Sequence, residues 1–222
     1  KKFDVCVVGG GPAGITLALD LADKGKLVLL LESGGAEYSR DWQNFYIGEN
    51  VGDPYFDLDV TRLRQFGGTS NHWEGWCRPL DEVDFTRKGY APEASWPISK
   101  GDLDPYLARA MEILDISGDF EDAEIDDAVK RIDFKFSEPT RFAEKYQHKF
   151  SEGDGLFLAM NSSATGVNLQ DQKVESLEVR DLRGTVRNVY ADAFVISCGG
   201  IENSRLLLHF NNQTQNRLVP VD

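Results

Sequence analysis

The sequence has few of the residues that build stapled scaffolds and metal centres. Its 222 residues include only three cysteines, Cys6, Cys77 and Cys198, widely spaced and with no CxxC pair. That argues against a disulfide framework, a dithiol redox centre and a thiol-based zinc site, and no metal is expected. Histidine is as scarce, with His72, His148 and His209 the whole set. No apolar run reaches the roughly 18 residues of a membrane helix, and there is no repeat or low-complexity tract. Basic runs are missing too. With 24 Lys and Arg against 37 Asp and Glu the net charge is −13, so nothing is placed to release counterions from nucleic acid or an anionic membrane. The acidity reads as a soluble, solvated surface. The first residues read as a strand and not as a signal peptide. A leader removed before Lys1 would leave no trace, so the compartment stays open, the cytoplasm ahead of the periplasm.

What is present begins at once. "FDVCVV", residues 3–8, is a short apolar run ending in Gly9, Gly10 and Gly11, and residues 12–24 then carry Ile15, Leu17, Ala18, Leu19, Leu21 and Ala22. Strand, glycine turn and helix are the natural reading. Pro12 suits the first helical turn and Gly25 the residue past its end. "KLVLLLE", residues 26–32, is a second buried strand and completes a βαβ unit. Gly9, Gly11 and Gly14 fit G-x-G-x-x-G. The first permits a tight turn, the second lets a pyrophosphate approach the backbone, and the third lets helix and strand pack closely. Glu32 closes the next strand, where a carboxylate accepts ribose hydroxyls and disfavours a 2′-phosphate. The competing reading is a structural turn with Glu32 as an ordinary acid. The agreement of three features favours a dinucleotide, FAD or NAD, between which the βαβ unit does not choose.

Residues 33–98 are aromatic and turn-rich, and read as long loops and short helices on a scaffold. Asp104 and Pro105 are expected to start a helix, with the acid as N-cap and Tyr106, Leu107, Ala110, Ile113 and Leu114 on one face. "SGDFEDAEIDDAVKR" is acidic and solvated. From Leu156 the pattern becomes strands: "LFLAM", "SATGVNLQ", "VESLEVR", "TVRNV" and "DAFVIS". Their turn spacing supports a β-meander. "ENSRLLLHF" then closes as a helix.

The ordered set "FDVCVVGGGPAG", "LLLESG", "FGGTSNHW", "FSEPTRFAEKY" and "FVISCGGIENSRLLL" resembles the glucose-methanol-choline oxidoreductases, flavoenzymes that bind FAD and oxidise alcohols. Bacterial sugar-oxidising members and pyranose oxidases look most alike. The resemblance implies that Gly67, Gly68, Thr69, Ser70 and Asn71 lie against the flavin ring and pyrophosphate, where small side chains let backbone approach a flat ring. It implies further that Ser33 follows the ribose carboxylate, that Cys198 and Gly199 form a turn near the dinucleotide, and that the backbone of Ala164 lies near the adenine. For Ala164 a plain edge strand is a nearly equal reading. Counting from Gly68 puts His72, followed by Trp73, where some members bond a histidine to the flavin 8α-methyl carbon. Three readings of His72 stand, the first a covalent tether, which needs a neutral imidazole nucleophile, and the second a non-covalent neighbour of the same ring. A core histidine far from any flavin is the third. Trp73, Trp76 and Trp96 could line a sugar site, although most tryptophans simply pack.

The family's catalytic base, a histidine in the C-terminal half, has no counterpart. His148 reads as solvent-facing, and His209 closes a helix, where its charge would complement the dipole. The expected fold is α/β: a Rossmann-like FAD-binding domain, discontinuous over 1–45 and 150–210, with a β-meander. Residues 46–149 would be flavin-covering loops and part of an incomplete substrate domain, and 211–222 a tail. The expected function is oxidation of an alcohol group of a sugar or glycoside by hydride transfer to flavin N5, the base lying outside this chain. A second chain could supply the C-terminal half. The alternatives are a flavin- or dinucleotide-binding subunit inactive alone, and an NAD-dependent Rossmann dehydrogenase.

Overall fold

The computed structural model describes residues 1–86, 96–138, 140–152 and 155–218. Contacts divide the chain into two compact units, Lys1–His72 with Arg141–Asp222, and Trp73–Thr140. Residues 46–72 and 141–149, read above with the covering loops, group with the first unit.

In the first unit β1 (Lys2–Val8), α1 (Pro12–Asp23) and β2 (Val28–Leu31) form the strand, helix and strand expected from the apolar pattern. Both faces of the strands are buried, as in a covered parallel sheet: Cys6, Val7 and Val8 are inaccessible or nearly so, and every residue of β2 is buried. Pro12 starts α1, and Gly25 follows its end at φ +76°. The connection after β2 carries α2 (Arg40–Gln43) and 3-10 turns at Asn44–Tyr46 and Gly68–Asn71. Its order comes from side chains more than from helices. The buried Gln43 amide donates to the carbonyls of Asp59 (2.6 Å) and Arg62 (2.7 Å) and accepts from the Arg64 N–H at 3.0 Å.

The second unit is built of short pieces: β3 (Trp76–Cys77), α3 (Glu82–Phe85), α4 (Lys100–Leu103), α5 (Leu107–Ile113), β4 (Ala123–Glu124), β5 (Lys130–Arg131) and β6 (Lys135–Phe136). The helix expected to start at Asp104 starts earlier. Ser99 is the N-cap, in a capping box with Asp102, and Asp104–Tyr106 is a 3-10 turn between α4 and α5. Pro105 has no N–H for an α-helical bond, so the helix tightens there. The acidic stretch holds the small β4–β5 hairpin, and Arg78 bonds the carboxylates of Asp81 and Asp122.

The chain returns to the first unit through α6 (Phe142–Tyr146), α7 (Lys149–Glu152), β7 (Leu156–Ala159), β8 (Ser163–Gln170), β9 (Lys173–Arg180), β10 (Val186–Ile196) and α8 (Gly200–Gln213). One six-stranded sheet runs β7-β2-β1-β10-β9-β8. The first three neighbour pairs are parallel, and β10–β9 and β9–β8 are antiparallel. "TVRNV" and "DAFVIS" are therefore one strand. The first half of β10 pairs with β9 in the meander, and its second half pairs with β1, Val8 opposite Ile196. Cys6, Val8, Leu29 and Leu31 share a core with Leu177, Val179, Ala191 and Phe210, which fuses parallel sheet, meander and α8. Each large apolar side chain buried there contributes about 1.5–3 kcal/mol. α8 continues through Gln213, into the stretch read as a tail, and residues 219–222 lie outside the described residues. His209 is accordingly inside the helix, its Nε2 3.1 Å from the Thr165 carbonyl. This is a Rossmann-like α/β fold with a β-meander.

Candidate cofactor site

The glycine turn lies where β1, β10 and α1 meet. Gly9 has φ +108° and its N–H bonds the Leu31 carbonyl at 2.8 Å. A Cβ there would lie 2.6 Å from the Ser197 carbonyl oxygen, so both conformation and space demand glycine. Gly14 is demanded by space alone, because a Cβ would come 1.9 Å from the Gly9 carbonyl oxygen. Gly11 differs. It caps α1 in an extended conformation open to any residue, and a Cβ would meet nothing within 4 Å. Nothing in the described chain requires glycine at 11, and the space it leaves, at the N-terminus of a helix, suits a phosphate.

Glu32 is buried, and each of its oxygens is engaged. Oε2 accepts the Gly10 N–H and Oε1 the Gly34 N–H, both at 2.7 Å. Burial pushes its pKa up, opposed by the N–H groups of Gly34 and Gly10, the charge of Arg64 and the N–H of Ser33. Two bonds leave lone pairs for the two hydroxyls of a ribose.

The glycine pair closes over this turn. Gly67, at φ +90°, donates its N–H to the Gly10 carbonyl at 2.7 Å, and a Cβ on Gly68 would lie 3.0 Å from the Gly11 Cα. Ser70 is buried, its hydroxyl donating to Gly67 O at 2.7 Å and accepting the Phe142 N–H. The Asn71 amide donates to Phe66 O, and Thr69 Oγ1 accepts weakly from the Leu63 N–H. So Gly9, Gly11, Gly14, Glu32, Ser33, Gly67, Gly68 and the Thr69–Ser70–Asn71 turn form one cradle. His72 ends it, exposed, its N–H on the Thr69 carbonyl.

Cys198 and Gly199 join the cradle from β10. The Ser197 hydroxyl lies within hydrogen-bond reach of Val8 O and Gly9 O, the Cys198 N–H bonds the Asn203 side chain, and Gly199 caps α8 with open space at its Cβ position. Burial, with the nearby Glu32 charge, pushes the Cys198 thiol up to about 12, so it is a packing group. Ala164 lies on β8 beside a register shift, packed against the sheet core. Trp73, Trp76 and Trp96 belong to the second unit: the Trp73 indole donates to Thr140 O, and exposed Trp76 packs tilted against Phe136, ring centres 5.3 Å apart. His148 is exposed.

A model of the family described as FAD-dependent oxidoreductase, DAO, matches residues 4–222. The chain belongs to that family. FAD is therefore its cofactor, and the open space at Gly11, at the N-terminus of α1, fits a dinucleotide phosphate. Among the similar solved structures are pyridoxine 4-oxidase from Mesorbium loti (TM-score 0.54, 20% identity, 95% of this chain and 52% of that one) and a fungal aryl-alcohol oxidase (0.54, 15%, 89% and 46%). An FAD-dependent oxidoreductase from Chaetomium thermophilum gives TM-score 0.60 at 15% identity over 89% of this chain and 46% of that one. At such identities the likeness is one of fold, and this chain spans about half the length of each. No curated protein matches it. Among the described residues no helix is long and apolar enough to cross a membrane, and no cluster of His, Cys, Asp and Glu is arranged to hold a metal ion.

Sequence reading missed Arg64 and Glu202. Glu202, in the first turn of α8, is buried and bonded by Arg62 (3.2 Å), Arg64 (2.9 Å) and Arg205. The available signal was two arginines just before the glycine pair in an otherwise acidic chain.

Proposed function

We propose that the chain is the cofactor-binding part of an FAD-dependent oxidoreductase of the glucose-methanol-choline type, oxidising an alcohol group of a sugar or glycoside. The observation that carries this reading is the closure of Gly67 and Gly68 onto Gly10 and Gly11, which sets the "FGGTSNH" turn beside the dinucleotide turn. A similar fold bearing the name aryl-alcohol oxidase supports an alcohol as the oxidised group. Bound flavin supplies a two-electron acceptor at N5. The chain's own part is to hold it: α1's N-terminus and Gly11 take the pyrophosphate, Glu32 the ribose hydroxyls, and Ala164, Cys198 and Gly199 the adenosine end. The turn from Gly67 to Asn71 backs the ring, and exposed His72 is the candidate for the 8α bond. Residues 1–45 and 150–210 would be the FAD-binding domain and 46–149 a cover with part of the substrate domain. The base that takes the hydroxyl proton comes from outside this chain, on a further segment or a second chain.

The test follows the flavin band near ~450 nm while sugars and simple alcohols are added without oxygen. Bleaching by a sugar supports the reading. A band that no alcohol bleaches, with or without a complementing C-terminal half, overturns it and leaves a flavin-binding subunit, the second reading.

A further inference from the structure

Glu202 gathers an unusual set of charges. Its carboxylate receives three arginines, and only Arg205 is well exposed, with 56% of its side chain accessible against 14% for Arg62 and 9% for Arg64. Burial pushes Glu202 up, but Arg205, Arg64 and Arg62 more than offset this and hold it below the usual carboxylate range. Arg62 and Arg64 also lie over the Tyr46 ring, their guanidinium carbons 4.1 and 4.8 Å from its centre. One carboxylate and one ring thus fix the segment that leads into the glycine pair.

The same segment runs along the loop that follows β2. A Cβ on Gly34 would lie 2.2 Å from the Arg64 carbonyl oxygen, and the Phe66 N–H bonds Gly35 O at 3.0 Å. Gly34 is the residue whose N–H holds Glu32 Oε1. The Arg64 backbone is therefore packed against the loop that follows Glu32, its guanidinium is given to Glu202, and its charge acts on Glu32 without a direct bond.

We propose that Arg64 is a positioning residue for the adenosine half of the cofactor. Held by Glu202, it ties the glycine-pair segment to α8 and keeps a fixed positive charge beside Glu32. The proposal rests on Glu32 as the ribose carboxylate. The other groups acting on Glu32 are the N–H groups of Gly10, Ser33 and Gly34, and Tyr46 and Cys198. Both are neutral near pH 7, and burial pushes the phenol and the thiol further up, each to about 12. Arg64 is then the cation that acts against the burial of Glu32. Without it, Glu32 binds its proton more tightly, and adenosine binding falls and recovers as pH rises. A protonated carboxyl is a poorer acceptor for the ribose.

The experiment measures ADP binding calorimetrically from pH 6 to 9, on the flavin-free chain, for wild type, Arg64→Gln, Arg64→Lys and Glu32→Gln. Arg64→Gln leaves Glu202 its pairs with Arg62 and Arg205, so the cluster stays neutralised. The expected result is roughly tenfold weaker binding for Arg64→Gln at pH 7, the weight of one charge-assisted hydrogen bond. The gap narrows toward pH 9, and Arg64→Lys follows wild type. A loss in Arg64→Gln that is the same at every pH, or no loss, overturns the proposal, as does a lysine variant as weak as glutamine. If Arg64→Gln does not fold, the lysine variant decides: wild-type affinity supports the proposal, and loss overturns it. Glu32→Gln binding ADP like wild type would instead overturn the reading of Glu32 itself.

Discussion

Gly14 packs so tightly under Gly9 that a single added carbon would sit 1.9 Å from the Gly9 carbonyl oxygen, whereas the same carbon on Gly11 would touch nothing. The two glycines of one motif therefore answer to different constraints: packing of the described chain demands glycine at 14 and leaves 11 free. Gly14→Ala should cost about 3 kcal/mol or more, because the obstacle is backbone that cannot swing aside. Gly11→Ala should stay within about 1 kcal/mol of wild type, a change of N-cap residue only. It should still weaken FAD binding at least about tenfold by filling the space a phosphate needs. Thermal melts of flavin-free protein and FAD titrations separate the two, and equal melting losses would refute the distinction.

His72 should carry the flavin. Acid precipitation should leave the yellow colour in the pellet, on the peptide that contains His72, and His72→Ala should move it to the supernatant. An unmodified wild-type peptide with all flavin in solution would leave His72 a neighbour of the ring.

Glu32 should make the stability of the flavin-free protein depend on pH. Its folded pKa lies above the ordinary carboxylate value of 4.5, so the folded state holds the proton longer than the unfolded chain. The contribution is fully present below about 4.5 and is lost as pH rises through the raised value. Glu32→Gln removes that term. Chemical denaturation should show its stability relative to wild type improving as pH climbs from 4.5, and a pH-independent difference would contradict the shift.

The thiols should differ in reactivity. Burial pushes Cys6 and Cys198 up to about 12, leaving both protonated at pH 8; Cys6 is inaccessible, whereas Cys77 and Cys198 are both half-buried, and burial raises the Cys77 thiol less. Brief alkylation of native protein followed by peptide mass spectrometry should label Cys77 first and Cys6 last, and labelling of Cys198 ahead of Cys77 would contradict its raised thiol.

The β8–β9 hairpin turns through Asp171 and Gln172, both at positive φ, +50° and +61°. A two-residue turn of this kind prefers Asn-Gly. Gln172→Gly should raise stability by about 0.5 kcal/mol, the relief of left-handed strain less the entropy glycine loses. A lowered melting temperature would show that the Gln172 side chain holds the hairpin in some other way.

The parts of the site legible in the sequence are those whose partners are near in the chain. Gly9, Gly11, Gly14 and Glu32 lie within one βαβ unit, and their spacing carries their arrangement. Ser99 and Asp102 were equally legible as a capping box, but Asp104 beside Pro105 offered a competing start. The single strand β10 was hidden because Asn188, Ala191 and Asp192 interrupt its apolar pattern where it passes from the meander to the parallel sheet. The Arg64–Glu202 pair spans 138 residues, and no local period announces such a contact.

The position of β10 beside β1 also sets a clock on biosynthesis. The turn at Gly9 is completed by Ser197, whose hydroxyl reaches Gly9 O across 188 residues. At roughly 5–20 residues per second, the ribosome takes on the order of 10–40 seconds to supply that partner. Until then β1 has an unpaired edge and an unfinished nucleotide turn, so the nascent chain needs shielding long before it needs FAD.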